Sequence, residues 1–367
     1  MKGVAPAIKG VTLLVGTRKG LFRVFSDRDR RRWTLEGPLI AGYEVYHAIL
    51  DPRDPSVGYA AANHIVWGSH VYRSTDGGAS WEPTSGRLAL PPESGREIRA
   101  VWHVAPGPRD RLDTVYAGIE PAALFVSEDS GASWVWNEAL DAHPTSQTWQ
   151  AAKGGLALHS ILLDPRDGRR IYVALSAGGS YRSEDGGGSW EPVNRGTRAD
   201  FLPERYPEAG QCVHSVRLHP ARPDRLYQQN HCGTYLSDDR GESWKEISEG
   251  LPSDFGYVIG LDPADPERAW VVPETSSHMR SVCDARLRVY ETVDAGSRWV
   301  ARTDGLPQEH AYVSILREAL DTDGLDPCGV YLGTSTGHLY GSPDGERWTC
   351  IAAHLPKILS VSASPAA

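Results

Sequence analysis

Short apolar runs recur along the whole chain, each closed by a cluster of Asp, Pro, Gly or Ser. In one stretch Ser160-Ile161-Leu162-Leu163 runs into Asp164-Pro165-Arg166-Asp167-Gly168. Arg170-Ile171-Tyr172-Val173-Ala174-Leu175 then runs into Ala177-Gly178-Gly179. Runs of this length between such turn residues predict strands. Ser180-Tyr181-Arg182-Ser183 predicts a third strand, and Trp190-Glu191-Pro192-Val193 begins a fourth. The same order of four recurs in residues 47–83, 214–247 and 257–301.

An octapeptide, Ser-x-Asp-x-Gly-x-Ser-Trp, sets the period. It begins at Ser74, Ser127, Ser183 and Ser237, and weaker copies span residues 26–33, 292–299 and 342–348. The seven tryptophans that close the copies (Trp33, Trp81, Trp134, Trp190, Trp244, Trp299 and Trp348) are 48 to 56 residues apart. Repetition at such a period predicts an array of like units. The expectation is an all-β chain, residues 1–367 forming one seven-bladed β-propeller of four-stranded antiparallel blades. The N-terminus opens on a second strand, residues 11–17, and lacks a first. The spare strand at residues 358–362 is expected to complete that blade and close the ring. Within the octapeptide, Asp185 is placed to accept backbone N–H groups, Ser183 adds a local bond, and Gly187 permits a positive φ. A carboxylate repeated in every blade therefore reads as a turn device.

Composition narrows the partners. The 367 residues carry a formal charge of −9, with acidic and basic residues interleaved, which argues against nucleic acid. Arg28, Arg30, Arg31 and Arg32 fall in a turn and read as a solvated loop. Five cysteines without paired spacing favour a reducing, cytoplasmic compartment over a disulfide framework. No apolar stretch approaches a membrane span, and Met1-Lys2-Gly3-Val4-Ala5-Pro6 does not read as a secretory leader. The expected partner is a small-molecule or carbohydrate-like ligand, with no membrane; the oligomeric state is left open, a monomer being one reading.

Candidate chemistry belongs on the face opposite the octapeptide turns, where the fourth-to-first and second-to-third connections lie. Aligning the first strands on their turns gives a column: Tyr46, Trp102, His159, His214, Tyr257, Tyr312 and Leu359. These rings either face a ligand or fill the space between blades. Three fourth-to-first connections are long, residues 84–99, 137–158 and 194–213. Four are short, residues 37–45, 248–256, 303–311 and 352–357. The long ones bring Trp149, Asp200, Glu204 and Arg205 to this face. Second-to-third turns add Arg18, Lys19, Asn230, His231 and Glu274, and residues 274–286 are polar enough to form a lid.

The densest constellation is Gln211-Cys212-Val213-His214 with Gln228-Gln229-Asn230-His231-Cys232. With His159 from the preceding blade, three imidazoles can converge. Three histidines suit a divalent transition metal (Zn, Cu, Fe or Mn) with one position open. They equally suit a metal-free site with His as acid, base or donor, or simple packing. The spacing matches no dedicated metal motif. Cys212 and Cys232 read as packing residues. Glu204 with Asp200, or Glu274, supplies carboxylates for acid–base work, and Arg18 with Lys19 suits an anionic group.

The octapeptide copies resemble the bacterial neuraminidase (Asp-box) repeat, over essentially the full chain. Several segments further resemble bacterial sialidase-like, glycosyl hydrolase-like proteins. They are Gly16-Thr17-Arg18-Lys19-Gly20-Leu21-Phe22, Gly196-Thr197-Arg198-Ala199-Asp200-Phe201-Leu202-Pro203, Gln211-Cys212-Val213-His214, Gln229-Asn230-His231 and Leu251-Pro252-Ser253-Asp254-Phe255-Gly256. The superfamily includes sialidases, xyloglucanases, sortilin-type receptors and photosystem II assembly factors, so the resemblance implies a fold before a substrate. Sialidases are six-bladed and use three arginines, a tyrosine with a glutamate, and an aspartate. Here Arg18 matches the first arginine and Tyr312 the tyrosine, while the blade count departs from that pattern. The expectation is a hydrolase- or lyase-like enzyme at the channel mouth. His159, His214 and His231 would carry acid–base or metal work. The alternative is a non-catalytic binding or assembly propeller.

Overall fold

The computed structural model describes residues 10–151 and 154–366, and residues 1–9, which include the stretch read for a leader, lie outside them. Among the described residues, 28 strands form seven four-stranded antiparallel sheets. We number the sheets as blades in chain order. Blade 1 takes its innermost strand from the C-terminus, Ile358–Ala366, followed outward by Gly10–Thr17, Gly20–Asp27 and Trp33–Leu39. The innermost strands of blades 2 to 7 are Glu44–Asp51, Ala100–Pro106, Leu158–Asp164, Val213–Leu218, Gly256–Leu261 and Leu320–Thr322. The spare strand pairs along its full length with the first, from Gly10↔Ala366 to Thr17↔Ile358. The ring is closed as the repeat predicts.

The octapeptide turns work as local hydrogen-bond cages. In blade 4, Asp185 Oδ1 accepts the Ser189 N–H at 2.9 Å and Oδ2 accepts the Ser189 hydroxyl at 2.7 Å. Ser183 Oγ accepts the Gly187 N–H at 2.8 Å. The bonds donated by Ser189 hold the Asp185 carboxyl at about 2. The Gly186 N–H donates to Arg169 O at 2.8 Å, which ties this turn to the first-to-second turn of its own blade. Both turns therefore share one face, away from the fourth-to-first loops.

Some of the closing tryptophans join neighbouring blades. Trp244 Nε1 donates to Val193 O at 2.8 Å and Trp299 Nε1 to Ile247 O at 2.7 Å, each reaching the preceding blade. Both rings are buried, so in these two blades an aromatic body is buried while its polar tip is satisfied.

Two expectations fail. Arg30 is not solvated: its guanidinium is buried and donates to Asp323 of blade 7 at 2.9 Å and to Pro327 O at 2.9 Å. This buried ion pair crosses the seam where blade 1 meets blade 7. The connection into blade 7 is also not short. Ala311-Tyr312-Val313-Ser314-Ile315-Leu316 carries a strand-like pattern, yet the strand begins at Leu320. The segment instead hydrogen-bonds the second-to-third loop of blade 6, with Val282 N donating to Val313 O at 2.9 Å. Ala311 and Ile315 are buried, Ile315 completely, while Tyr312 is exposed, so the pattern is only partly satisfied outside a sheet of its own blade.

Candidate active site at the channel mouth

In most innermost strands the register slips by one residue near the mouth. The slips fall at Tyr46, Trp102, His159, His214 and Leu359, and at Tyr257 with Val258. A β-bulge re-aims the side chain it carries, and all six column residues line one cavity of about 950 Å³. Blade 7 supplies Arg317 in place of Tyr312, which sits 64% exposed outside the cavity. The Arg317 guanidinium lies over the Trp102 ring at 5.6 Å and the Tyr257 ring at 5.8 Å, a cation between two π faces.

Two carboxylates enter the same cavity from blades 2 and 3. Glu44 Oε2 accepts the Tyr46 hydroxyl at 3.1 Å, and Glu120 Oε2 accepts the Trp102 indole N–H at 3.1 Å. The Tyr46 and Trp102 rings meet edge-on at 4.8 Å, so the two carboxylates are linked through an aromatic pair. Burial, reinforced by Glu44, pushes the Tyr46 hydroxyl up to about 12. Arg18 stands 3.3 Å from Glu44, and Arg99 stands 3.9 Å from Glu120.

The histidines divide. His159 is buried with both ring nitrogens engaged: Nε2 donates to Val213 O at 2.9 Å, and Nδ1 accepts from Ser160 Oγ at 3.1 Å. It borders the cavity but stands apart from the cluster of donor atoms expected to include it. Cys212 takes its place: Cys212, His214 and His231 each present one ligand atom, all within 4.8 Å of one another. Cys212, expected as a packing residue, is buried and also borders the cavity, with Sγ 3.4 Å from His214 Nε2. His214 Nδ1 donates to Gly256 O at 2.6 Å, which fixes the tautomer and leaves Nε2 as the acceptor. Burial first, then Arg317, holds His159 and His214 well below the usual imidazole range. Burial also lowers His231 and raises the Cys212 thiol.

Several expected residues lie elsewhere. Asp200 is exposed and tied to Arg198 and Arg205, and Glu204 is exposed, because their loop turns Phe201 and Leu202 toward the cavity instead. Arg205 packs on Tyr206 at 5.6 Å. Trp149 donates its indole N–H to the Tyr181 hydroxyl at 2.7 Å and packs between blades. Gln211 is buried, donating to Pro207 O at 2.6 Å, and buried Asn230 accepts the His231 N–H at 2.6 Å. Lys19 does not line the cavity, whereas Lys357 does. Glu274 is fully buried outside the cavity, where Oε1 accepts the Ser314 hydroxyl at 2.7 Å and the Ile315 N–H at 2.8 Å. Burial pushes its carboxyl up to about 7. The loop it anchors nevertheless brings Ser277, His278 and Arg280 to the cavity rim.

Glu44, Arg317, Glu318 and Lys357 border the cavity without being among the expected site residues. Glu44 was legible as the residue two before column member Tyr46, on the same side of a strand. Arg317 and Glu318 were hidden by the strand-like pattern of residues 311–316.

No family model matches the chain. Over 318 residues it is 29% identical to the oligoxyloglucan-reducing end-specific xyloglucanase of Emericella nidulans, covering 76% of this chain and 37% of that protein. The chain resembles xyloglucanases. It spans little more than a third of that relative's length. The GH74 xyloglucanase structure from Xanthomonas campestris superposes with a TM-score of 0.66, at 19% identity, over 95% of this chain and 54% of that one. YCF48 from Cyanidioschyzon merolae superposes with a TM-score of 0.54, at 16% identity, over 83% of this chain and 84% of that one. Both structures share the fold. The protein is a seven-bladed β-propeller.

Proposed function

We propose that this propeller is a glycoside hydrolase acting on a carbohydrate-like ligand held in the mouth cavity. The observation that carries the reading is the linked pair Glu44 and Glu120 inside an aromatic-walled pocket. Hydrolysis of a glycosidic bond needs one carboxyl group to protonate the leaving oxygen and a second to activate water or attack the anomeric carbon. Tyr46, Trp102 and Tyr257 offer apolar surface to sugar faces, and Arg317 offers fixed donors to ring substituents. The likeness to xyloglucanases supports a carbohydrate substrate.

Incubation with xyloglucan oligosaccharides tests this directly. Release of reducing ends by the wild type, and its loss in both Glu44→Gln and Glu120→Gln with binding retained, is the expected outcome. Binding without turnover in the wild type would overturn hydrolysis and favour a non-catalytic binding propeller.

A metal-assisted version is favoured by one observation, the anchoring of His214 Nδ1 on Gly256 O. A backbone carbonyl on one ring nitrogen is how a metal-ligating imidazole is oriented. Cys212, His214 and His231 suit Zn²⁺, which would polarise a bound water. A reducing, cytoplasmic setting would keep Cys212 available. Metal analysis of untagged protein, repeated on Cys212→Ser, decides this version: stoichiometric zinc lost in the variant supports it, and no metal in either sinks it.

A further inference from the structure

Deeper in the channel, His47 of blade 2, His103 of blade 3 and Glu318 at the entry to blade 7 converge. Each offers one ligand atom, and the three lie within 4.8 Å of one another. The imidazoles stack with centroids 4.0 Å apart at 25°. His103 Nδ1 stands 3.9 Å from Glu318 Oε1. The residues are 6%, 5% and 7% exposed. His47 Nδ1, His103 Nδ1 and Glu318 Oε1 are all buried without a hydrogen-bond partner.

Three orphaned polar atoms in one cluster, two of them (His103 Nδ1 and Glu318 Oε1) facing each other, call for a physical account, because an unmade buried bond costs ~1–3 kcal/mol each. The rest of the carboxylate is already committed: Glu318 Oε2 accepts from Arg217 at 2.9 Å. Arg217 therefore orients Glu318 and leaves Oε1 directed to the imidazoles. Asp321, which borders the same lower cavity as Arg217, offsets the charge of that guanidinium. Glu318 borders this cavity and the mouth cavity alike, so the cluster lies between them.

We propose that His47, His103 and Glu318 form a binding site for a divalent first-row transition ion such as Zn²⁺. Two neutral imidazoles and one carboxylate oxygen form a donor set of the kind such ions take, with positions left for water. Ligand atoms at ~2.1 Å from one ion stand ~3 Å apart, so the 3.9 Å separation of His103 from Glu318 closes by under an ångström on binding. The ion braces the ring across its channel, because blades 2 and 3 face blade 7 over the axis. This site shares no residue with the Cys212 cluster, and it stands or falls separately from the hydrolase reading.

The test uses full-length, untagged protein stripped with a chelator and then titrated with Co²⁺ and Zn²⁺. In the Cys212→Ser background, which removes the thiolate of the mouth cluster, one equivalent binds with a rise in melting temperature. Cobalt shows d–d bands without a thiolate-to-metal charge-transfer band. His103→Ala and the near-isosteric Glu318→Gln each weaken binding at least ten-fold, while Cys212→Ser leaves it intact. Three results would overturn the proposal. One is no metal and no thermal shift in the wild type, meaning that water alone fills the cluster. The second is binding unchanged in Glu318→Gln. The third is a sole metal that shows thiolate charge transfer and is lost in Cys212→Ser.

Discussion

Glu120 receives the indole N–H of Trp102 at 3.1 Å, one blade away from Glu44, which receives the hydroxyl of Tyr46 at the same distance. The two carboxylates are positioned by aromatic side chains that themselves form the ligand surface. Position and affinity are therefore coupled at this mouth. Glu120→Gln should lower kcat by ~10²–10⁴, the usual worth of a positioned acid or base, with KM changed little. Trp102→Phe keeps the ring and removes the donor, so it should produce a smaller kcat loss. Steady-state kinetics on xyloglucan oligosaccharides checks both, and unchanged kcat in Glu120→Gln would remove it from the chemistry.

Arg30 and Asp323 form a buried pair, with side chains 5% and 0% exposed. Removing one partner leaves a buried charge uncompensated, which costs ~3–5 kcal/mol. Arg30→Ala should show that loss in denaturant unfolding, whereas a surface arginine of the same turn, Arg31→Ala, should stay within ~0.5 kcal/mol. Equal effects would show that the seam pair contributes nothing special.

Glu274 sets a pH dependence whose sign follows from its burial. Its carboxyl is raised to about 7 in the fold against 4.5 for the free group. Between those values the unfolded chain releases the proton while the folded one keeps it, so stability falls as pH rises from about 4.5 to about 7. The shift corresponds to a loss on the order of 3 kcal/mol. Glu274→Gln keeps the acceptor for Ser314 and Ile315 and should remove that slope. Unfolding free energies at pH 5 and pH 8 measure it, and an undiminished slope in the variant would assign it to other groups.

Deleting residues 358–366 removes the innermost strand of blade 1, which pairs with Gly10–Thr17 throughout. An open edge would face the channel, and Leu13 and Val15 would lose their cover. The truncated chain should lose cooperative unfolding and associate at micromolar concentration. Calorimetry with light scattering follows both, and a monomeric protein with an unchanged transition would contradict the closure role.

Much of this molecule is periodic, and the periodic part is legible in its residues. The tryptophan spacing counts the blades, the strand order separates the turn face from the mouth, and the spare C-terminal strand announces the closure. These features rest on bonds within a turn or between adjacent strands, such as Ser189 to Asp185, which recur wherever the octapeptide recurs. The column Tyr46, Trp102, His159, His214 and Tyr257 was legible for the same reason, since each member sits at one register of a repeated strand.

Only the tertiary structure decided the rest. Asp200 and Glu204 turn outward while Phe201 and Leu202 turn in, Arg30 dives to Asp323, and Arg317 rather than Tyr312 completes the ring. Arg30 and Arg317 are set by partners distant in the chain, and Asp200 by its own loop's arginines; loop side chains follow such contacts, not the repeat. The convergence of His47, His103 and Glu318 is the extreme case: the two histidines each follow a column residue, 56 residues apart, but Glu318 lies at the irregular entry to blade 7, and closing the ring is what brings it to them.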